Sequence, residues 1–255
     1  MIYVFTLGFA PARILEKSFE QLYKTTSLGS KNFVHVYLDQ HYPIDKERNM
    51  GACRIICDMY GITYIDAGKN LGLHVGFNKM LDLVNLKPDD VVIAYDADSF
   101  PTESGWDSAL ISVLSDPNFG WVTIMNPRCK QELIENGYEV HDVAAYEVWT
   151  PRKDIVNSTC AWRGDFLIRS KGLHESRPFY GHLESSMWGK LNEQGLRWGF
   201  LPAFPESDHL RDLHDRDLVV YKWCHAHLKS WDGDFESWLA AGKPNPEDNA
   251  PARLP

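Results

Sequence analysis

No C-x-x-C pair occurs among the five cysteines, Cys53, Cys57, Cys129, Cys160 and Cys224. An odd and scattered set argues against a disulfide framework or a zinc clamp, and a reducing cytoplasm suits it best. Cys53 and Cys57 stand one helical turn apart and read as small core residues. Positive charge is scarce as well: 26 Lys and Arg face 35 Asp and Glu, a formal net charge of −9. A general basic face for nucleic acid is therefore not expected. The apolar start IYVFTLGFA lacks a basic n-region and is too short to span a bilayer, so it reads as a first strand rather than a signal peptide. The glycine-rich loop with a lysine that cradles phosphate in P-loop proteins is missing. There is no internal repeat and no visible domain linker.

What the chain does have is an ordinary globular balance, 44% hydrophobic and 24% charged, over 255 residues. That length suits one large α/β domain or two small ones. Nine Trp, eleven Tyr and twelve Phe supply a sizeable core, with some left to stack on the rings of a ligand. The first strand covers about residues 2–7, followed by a loop carrying Gly8, Pro11 and Arg13. A helix with Ile14, Leu15, Phe19 and Leu22 at helical spacing comes next. FVHVYLD (33–39) is a second strand, 45–60 a helix ended by Gly61, and ITYID a third strand. Residues 70–84 open with an Asn and two glycines and become an amphipathic helix, and a strand follows at 91–95. This β-α alternation predicts a mostly parallel sheet covered on both faces.

Beyond Pro101 the pattern loosens. A helix is expected through 106–114, a strand at 121–127, an irregular excursion over 128–157 and a strand or hairpin at 160–170. A helix at 182–194 then leads to the strand RWGFLPA. The segment 205–235 is rich in His, Asp and Trp, and 241–255 reads as a disordered tail with many prolines.

The chemistry concentrates at strand ends. VVIAYDADSFP (91–101) runs from a buried strand into Asp96 and Asp98, and earlier strands end in Asp39 and Asp66. All would meet at the carboxyl edge of the sheet, where ligands bind in such folds. Two carboxylates one residue apart repel each other unless a cation lies between them or both stay solvated. Mg²⁺ or Mn²⁺ prefers such oxygen ligands and shares them with a diphosphate.

These motifs stand in an order that resembles nucleotide-sugar glycosyltransferases of the GT-A fold, particularly the large family-2 type. Four places carry the resemblance: Asp39, the NLGLHVGFN block at 70–78, the D-A-D at 96–98, and GHLESSMWGKLNEQG at 181–195. It implies an α/β GT-A (Rossmann-like) fold with a mixed, mostly parallel central sheet flanked by helices. It further implies one domain over residues 1–240, with 1–100 binding the nucleotide sugar and 101–240 the acceptor.

By the same resemblance, the donor would be a nucleoside-diphosphate sugar, UDP-linked in preference to GDP-linked. Thr6, Leu7, Gly8 and Arg13 would shape the nucleotide pocket, and Asp39 would bond the nucleobase or ribose. Asn70 and Gly72 would allow close approach of the chain to the donor, with Asn78 closing the same block. Asp96 would contact the ribose or sugar. Asp98 would bind the metal, with His209 as a further ligand, His214 as second choice and His225 and His227 beyond it. Glu184, eleven residues before Gly195, would be the general base of an inverting transfer. The family commonly has two adjacent acids here, whereas this chain has Glu184 followed by Ser185. His182 is the alternative base or an acceptor contact.

Two other functions compete. A sugar-nucleotide nucleotidyltransferase shares the general sheet, but it usually carries a Gly-rich loop with Arg and Lys where this chain has GFAPAR. A non-catalytic nucleotide- or glycan-binding protein of the same fold is the third reading, kept open by the missing second acid. The acceptor has no signature: a saccharide is the default, with a protein side chain or a hydroxylated nucleobase as alternatives.

Overall fold

The computed structural model describes residues 1–28, 33–42, 46–155, 159–173 and 183–206. Within them lie nine strands in one sheet, in the order β3-β2-β1-β4-β8-β5-β9-β7-β6. Strands β1 (Ile2–Gly8), β2 (Phe33–Asp39), β3 (Thr63–Asp66) and β4 (Val91–Ala94) form a parallel block. Helices α1 (Ala12–Thr25), α2 (Lys46–Tyr60) and α3 (Leu73–Leu81) connect them. The crossover rhythm expected from the sequence is thus present.

The rest of the sheet is mixed. β8 (Cys160–Arg163) runs antiparallel between β4 and β5 (Phe119–Met125), while β9 (Arg197–Pro205) lies parallel to β5. Helix α4 (Trp106–Leu114) precedes β5. The expected irregular excursion at 128–157 is instead helix α5 (Pro127–Asn136) and a hairpin, β6 (Tyr138–Val143) with β7 (Tyr146–Pro151). Asn126 starts α5 by accepting the Cys129 N–H at 2.7 Å, and Pro127 sits at the first position, where its missing N–H costs nothing.

The segment 160–170 is a short strand followed by helix α6 (Gly164–Ser170), not a hairpin. The turn between them is forced by close approach: a Cβ on Gly164 would stand 2.1 Å from the Lys87 carbonyl oxygen. Helix α7 (Leu183–Glu193) precedes β9.

Alternate side chains of each strand feed two cores. Val4, Tyr37 and Ile93 face α1, α2 and α4 with Phe19, Leu22, Cys53, Cys57 and Trp106. Tyr3, Phe5, Val36, Leu38 and Val92 face the other side with Phe77, Trp121, Trp162 and Trp198. Trp121 and Trp198 stack at 3.9 Å between ring centroids, and Trp162 tilts against Trp121 at 5.6 Å. Cys53, Cys57, Cys129 and Cys160 are buried free thiols, as expected of small core residues; Cys224 lies outside the described residues. No helix of the described residues is long and apolar enough to cross a membrane.

Candidate functional site

The parallel register aligns Gly8, Asp39 and Asp66 in one row at the carboxyl edge of the sheet. Phe5 pairs with Ala94, and Tyr95 N–H bonds the Phe5 carbonyl at 2.9 Å, so Asp96 emerges beside that row. The predicted convergence of strand-end acids is therefore real.

A cavity of about 150 Å³ opens at this edge. Phe5, Leu7, Phe77, Ala94, Trp162 and Leu173 form much of its wall, and Asp96 and Glu184 both line it. Asp96 is exposed and Asp98 half-buried at the turn after β4. Glu184 is half-buried in the first turn of α7, where the helix dipole favours an anion. The predicted base and the first Asp of the D-A-D thus share one apolar-walled space, although 88 residues separate them in the chain.

Other predicted residues have different surroundings. Leu7 reaches the cavity, but Thr6 is fully buried with its hydroxyl 3.0 Å from His35 Nε2. His35 in turn meets the Tyr23 hydroxyl at 3.0 Å, and burial lowers its pKa to about 3, so it is a neutral brace. Gly8 packs edge-on against Tyr37, whose hydroxyl would lie 2.0 Å from an added Cβ. Arg13 is exposed in the first turn of α1.

Asp39 is 1% exposed; one of its oxygens accepts the Tyr64 hydroxyl at 2.9 Å and the other the His41 N–H at 2.8 Å. Burial raises its pKa despite these bonds. Its visible task is to shape the loop after β2, where His41 adopts a left-handed φ of 57°. His41 Nε2 then meets Asp66 Oδ1 at 2.5 Å, and Gly68 N–H bonds the same oxygen at 2.7 Å. Burial opposes ionisation of Asp66, but the Gly68 amide and His41 outweigh it and hold the pKa below the ordinary range.

Asn70 Oδ1 accepts the Gly72 N–H at 2.9 Å, and Gly72 has a φ of 75° that favours glycine at the start of α3. Gln40 Oε1 accepts the Leu71 N–H at 2.9 Å and ties this loop to the end of β2. Asn78 is not on the cavity wall. Its side chain clasps the backbone of Leu173, donating to the carbonyl at 2.9 Å and accepting the N–H at 2.8 Å. His182, His209, His214, His225 and His227 lie outside the described residues.

Glu206, just beyond β9, has no counterpart among the residues the sequence singles out. It is 4% exposed, and its Oε1 accepts the Ser99 hydroxyl at 3.0 Å, directly after the D-A-D. Tyr95 is pushed well above its ordinary pKa by burial first, then by the charges of Glu206, Asp96 and Asp98. Carboxylate oxygens such as those of Asp96 and Asp98 suit Mg²⁺ or Mn²⁺ rather than a softer metal. Among the described residues, no three His, Cys, Asp or Glu side chains form a complete metal cage. A cation here would complete its shell with diphosphate oxygens, water or side chains beyond these.

No sequence profile of a known protein family matches the chain, and neither does any curated protein sequence. Solved structures do match. A mannosyltransferase, PcManGT from Pyrobaculum calidifontis, in complex with GDP-mannose and Mn²⁺, aligns over 96% of this chain and 66% of its own, with TM-score 0.61 and 17% identity. GalNAc-T7 with UDP, GalNAc and Mn²⁺ aligns over all of this chain and 52% of its own, with TM-score 0.62 and 12% identity. The chain has the fold of GT-A glycosyltransferases, a mixed α/β sheet flanked by helices. It spans between about half and two-thirds of the length of these neighbours.

Proposed function

We propose that the chain is a metal-dependent glycosyltransferase of the hexosyl-transferring type. It would move a sugar from a nucleoside-diphosphate sugar, with UDP favoured, to an acceptor hydroxyl. The observation that carries this reading is the cavity shared by Asp96 and Glu184 at the carboxyl edge of a GT-A sheet. That both structural neighbours hold Mn²⁺ with a nucleotide or nucleotide sugar supports the same reading.

In this scheme Asp98, with His209 as a further ligand, holds Mn²⁺ or Mg²⁺. When bound, the cation supplies positive charge opposite the leaving nucleoside diphosphate. Asp96 faces the ribose or sugar. The strand-end loops carrying Asp39, Asn70 and Gly72 shape the nucleoside pocket. Glu184 takes the proton of the acceptor hydroxyl as its oxygen attacks the anomeric carbon. The new C–O bond forms as the bond to diphosphate breaks, so configuration inverts. Apolar walls at Phe5, Leu7 and Trp162 exclude water and strengthen these charge interactions. Residues 1–100 form the donor half and 101–240 the acceptor half, within one domain.

Incubation with Mn²⁺ and a panel of UDP- and GDP-sugars, reading slow donor hydrolysis, tests the proposal. Metal-dependent hydrolysis of one donor, lost in Asp98→Asn, is expected. Hydrolysis of none, or Asp98→Asn behaving as wild type, removes the reading. Donor binding unchanged by Glu184→Gln, with no turnover, would mark a binding protein instead.

A further inference from the structure

The turn carrying Asp96 and Asp98 is held from two sides. From α1, Ser18 Oγ lies 3.5 Å from the Asp96 carbonyl and 3.4 Å from that of Ser99. The Ser18 carbonyl accepts the Tyr95 hydroxyl at 2.9 Å. From β9 comes Glu206. Its Oε1 accepts the Ser99 hydroxyl at 3.0 Å and lies 3.4 Å from the Thr159 N–H. Its own N–H bonds the Met125 carbonyl at 2.9 Å, and an isolated antiparallel bridge joins it to Pro101. One residue earlier, the Pro205 carbonyl accepts both the N–H of Thr102 at 3.0 Å and its hydroxyl at 3.1 Å.

A neutral Gln in place of Glu206 would accept the same Ser99 hydroxyl. What Gln could not supply is a negative charge behind the two aspartates. We propose that Glu206 is a positioning residue for the metal-binding turn. Its carboxylate fixes the Asp96–Ser99 turn against β9 and deepens the negative potential that a divalent cation meets there. The proposal rests on the metal-dependent reading above, and it assigns Glu206 no contact with donor or acceptor.

The test is Mn²⁺ binding to the full chain, without donor, followed by the loss of the free-ion electron paramagnetic resonance signal. Thermal unfolding in EDTA runs in parallel to confirm folding. Glu206→Gln keeps the acceptor for Ser99 and removes the charge. It should weaken Mn²⁺ binding about tenfold, the scale expected of one partly screened charge acting on a dication. Glu206→Asp keeps the charge and should recover most of that loss. Ser99→Ala removes the tether alone and should weaken binding about threefold, as expected for one hydrogen bond. It carries the test if both Glu206 variants fail to fold. Equal affinity in wild type and folded Glu206→Gln, or unchanged affinity in Ser99→Ala when it alone folds, overturns the role of Glu206 and leaves the glycosyltransferase reading intact. No Mn²⁺ binding by wild type overturns the metal-dependent reading and this one together.

Discussion

In the parallel block, polar side chains at the ends of β2 and β3 and in the loop after β3 are kept occupied by the protein itself: Asp39 by Tyr64 and His41, Asp66 by Gly68, Asn70 by Gly72. The mixed part of the sheet contributes few strand-end groups. It sends in single carboxylates instead, Glu184 from the first turn of α7 and Glu206 from the end of β9. The first region is a preformed cradle whose geometry is set by short-range bonds after parallel strands. The second places isolated charges against that cradle from far along the chain. In the proposed glycosyltransferase, binding precision would come from the one and reactivity from the other, an arrangement that would let acceptor chemistry change without rebuilding the donor cradle.

The harshest break of this comparison is Asp98→Ala, which should lower metal-dependent donor hydrolysis by roughly 10³-fold, since the charge on the departing diphosphate loses its counterion. Glu184→Gln should cut transfer to the acceptor by about 10²–10⁴-fold while leaving donor affinity unchanged, read as a fall in kcat at constant donor KM. If both values fell together, the two regions would not be separable. Trp121→Ala tests the core beneath both regions. Losing a fully buried ring stacked on Trp198 should cost about 3–5 kcal/mol in urea unfolding.

Two smaller effects separate the regions by pH. Burial raises the Asp39 pKa, so this group contributes stability that is complete below its unfolded value and lost as pH rises through the folded one. Wild type should therefore lose urea resistance relative to Asp39→Asn as pH rises above the ordinary carboxylate value of about 4. Asp165, in the other region, has the opposite sign. Burial would raise its pKa, but Arg163 first and Arg169 at 2.9 Å hold it down. Its contribution is present above about pH 4 and is lost as pH falls further, so Asp165→Asn should flatten acid unfolding by less than about 1 kcal/mol.

The same contrast explains how much of the molecule is legible in the sequence. FVHVYLD and VVIA are strands buried on both faces, so their apolar runs and terminal aspartates stand out from the residue pattern alone. The hairpin of β6 and β7 does not, because β6 is an edge strand with Glu139, Val140 and Asp142 all exposed, which leaves no alternation to find. CAWRGDFLIRS misleads because its apolar residues suit either period; the close pack of Gly164 on Lys87 decides where the strand stops. Asn70, Gly72 and Glu184 are marked by their order along the chain, yet Asn78, part of the same block, proves to hold Leu173. Glu206 carries no local signal, since its meaning depends on a partner distant in sequence. His41 is distinguished only by its left-handed backbone, which residue type does not announce.

The Ser99–Glu206 bond joins residues 107 positions apart. During synthesis the D-A-D turn leaves the ribosome with its strand already formable against β1, but its second tether arrives only after the α4-to-β9 region has been made. Closing a loop of that length must be repaid by contacts formed at the end, so this bond belongs to the late, slow part of folding. A nascent chain stopped short of β9 would carry the aspartates in the right order with half their restraint missing. On the proposed metal-dependent reading, metal competence would then be one of the last properties the protein acquires.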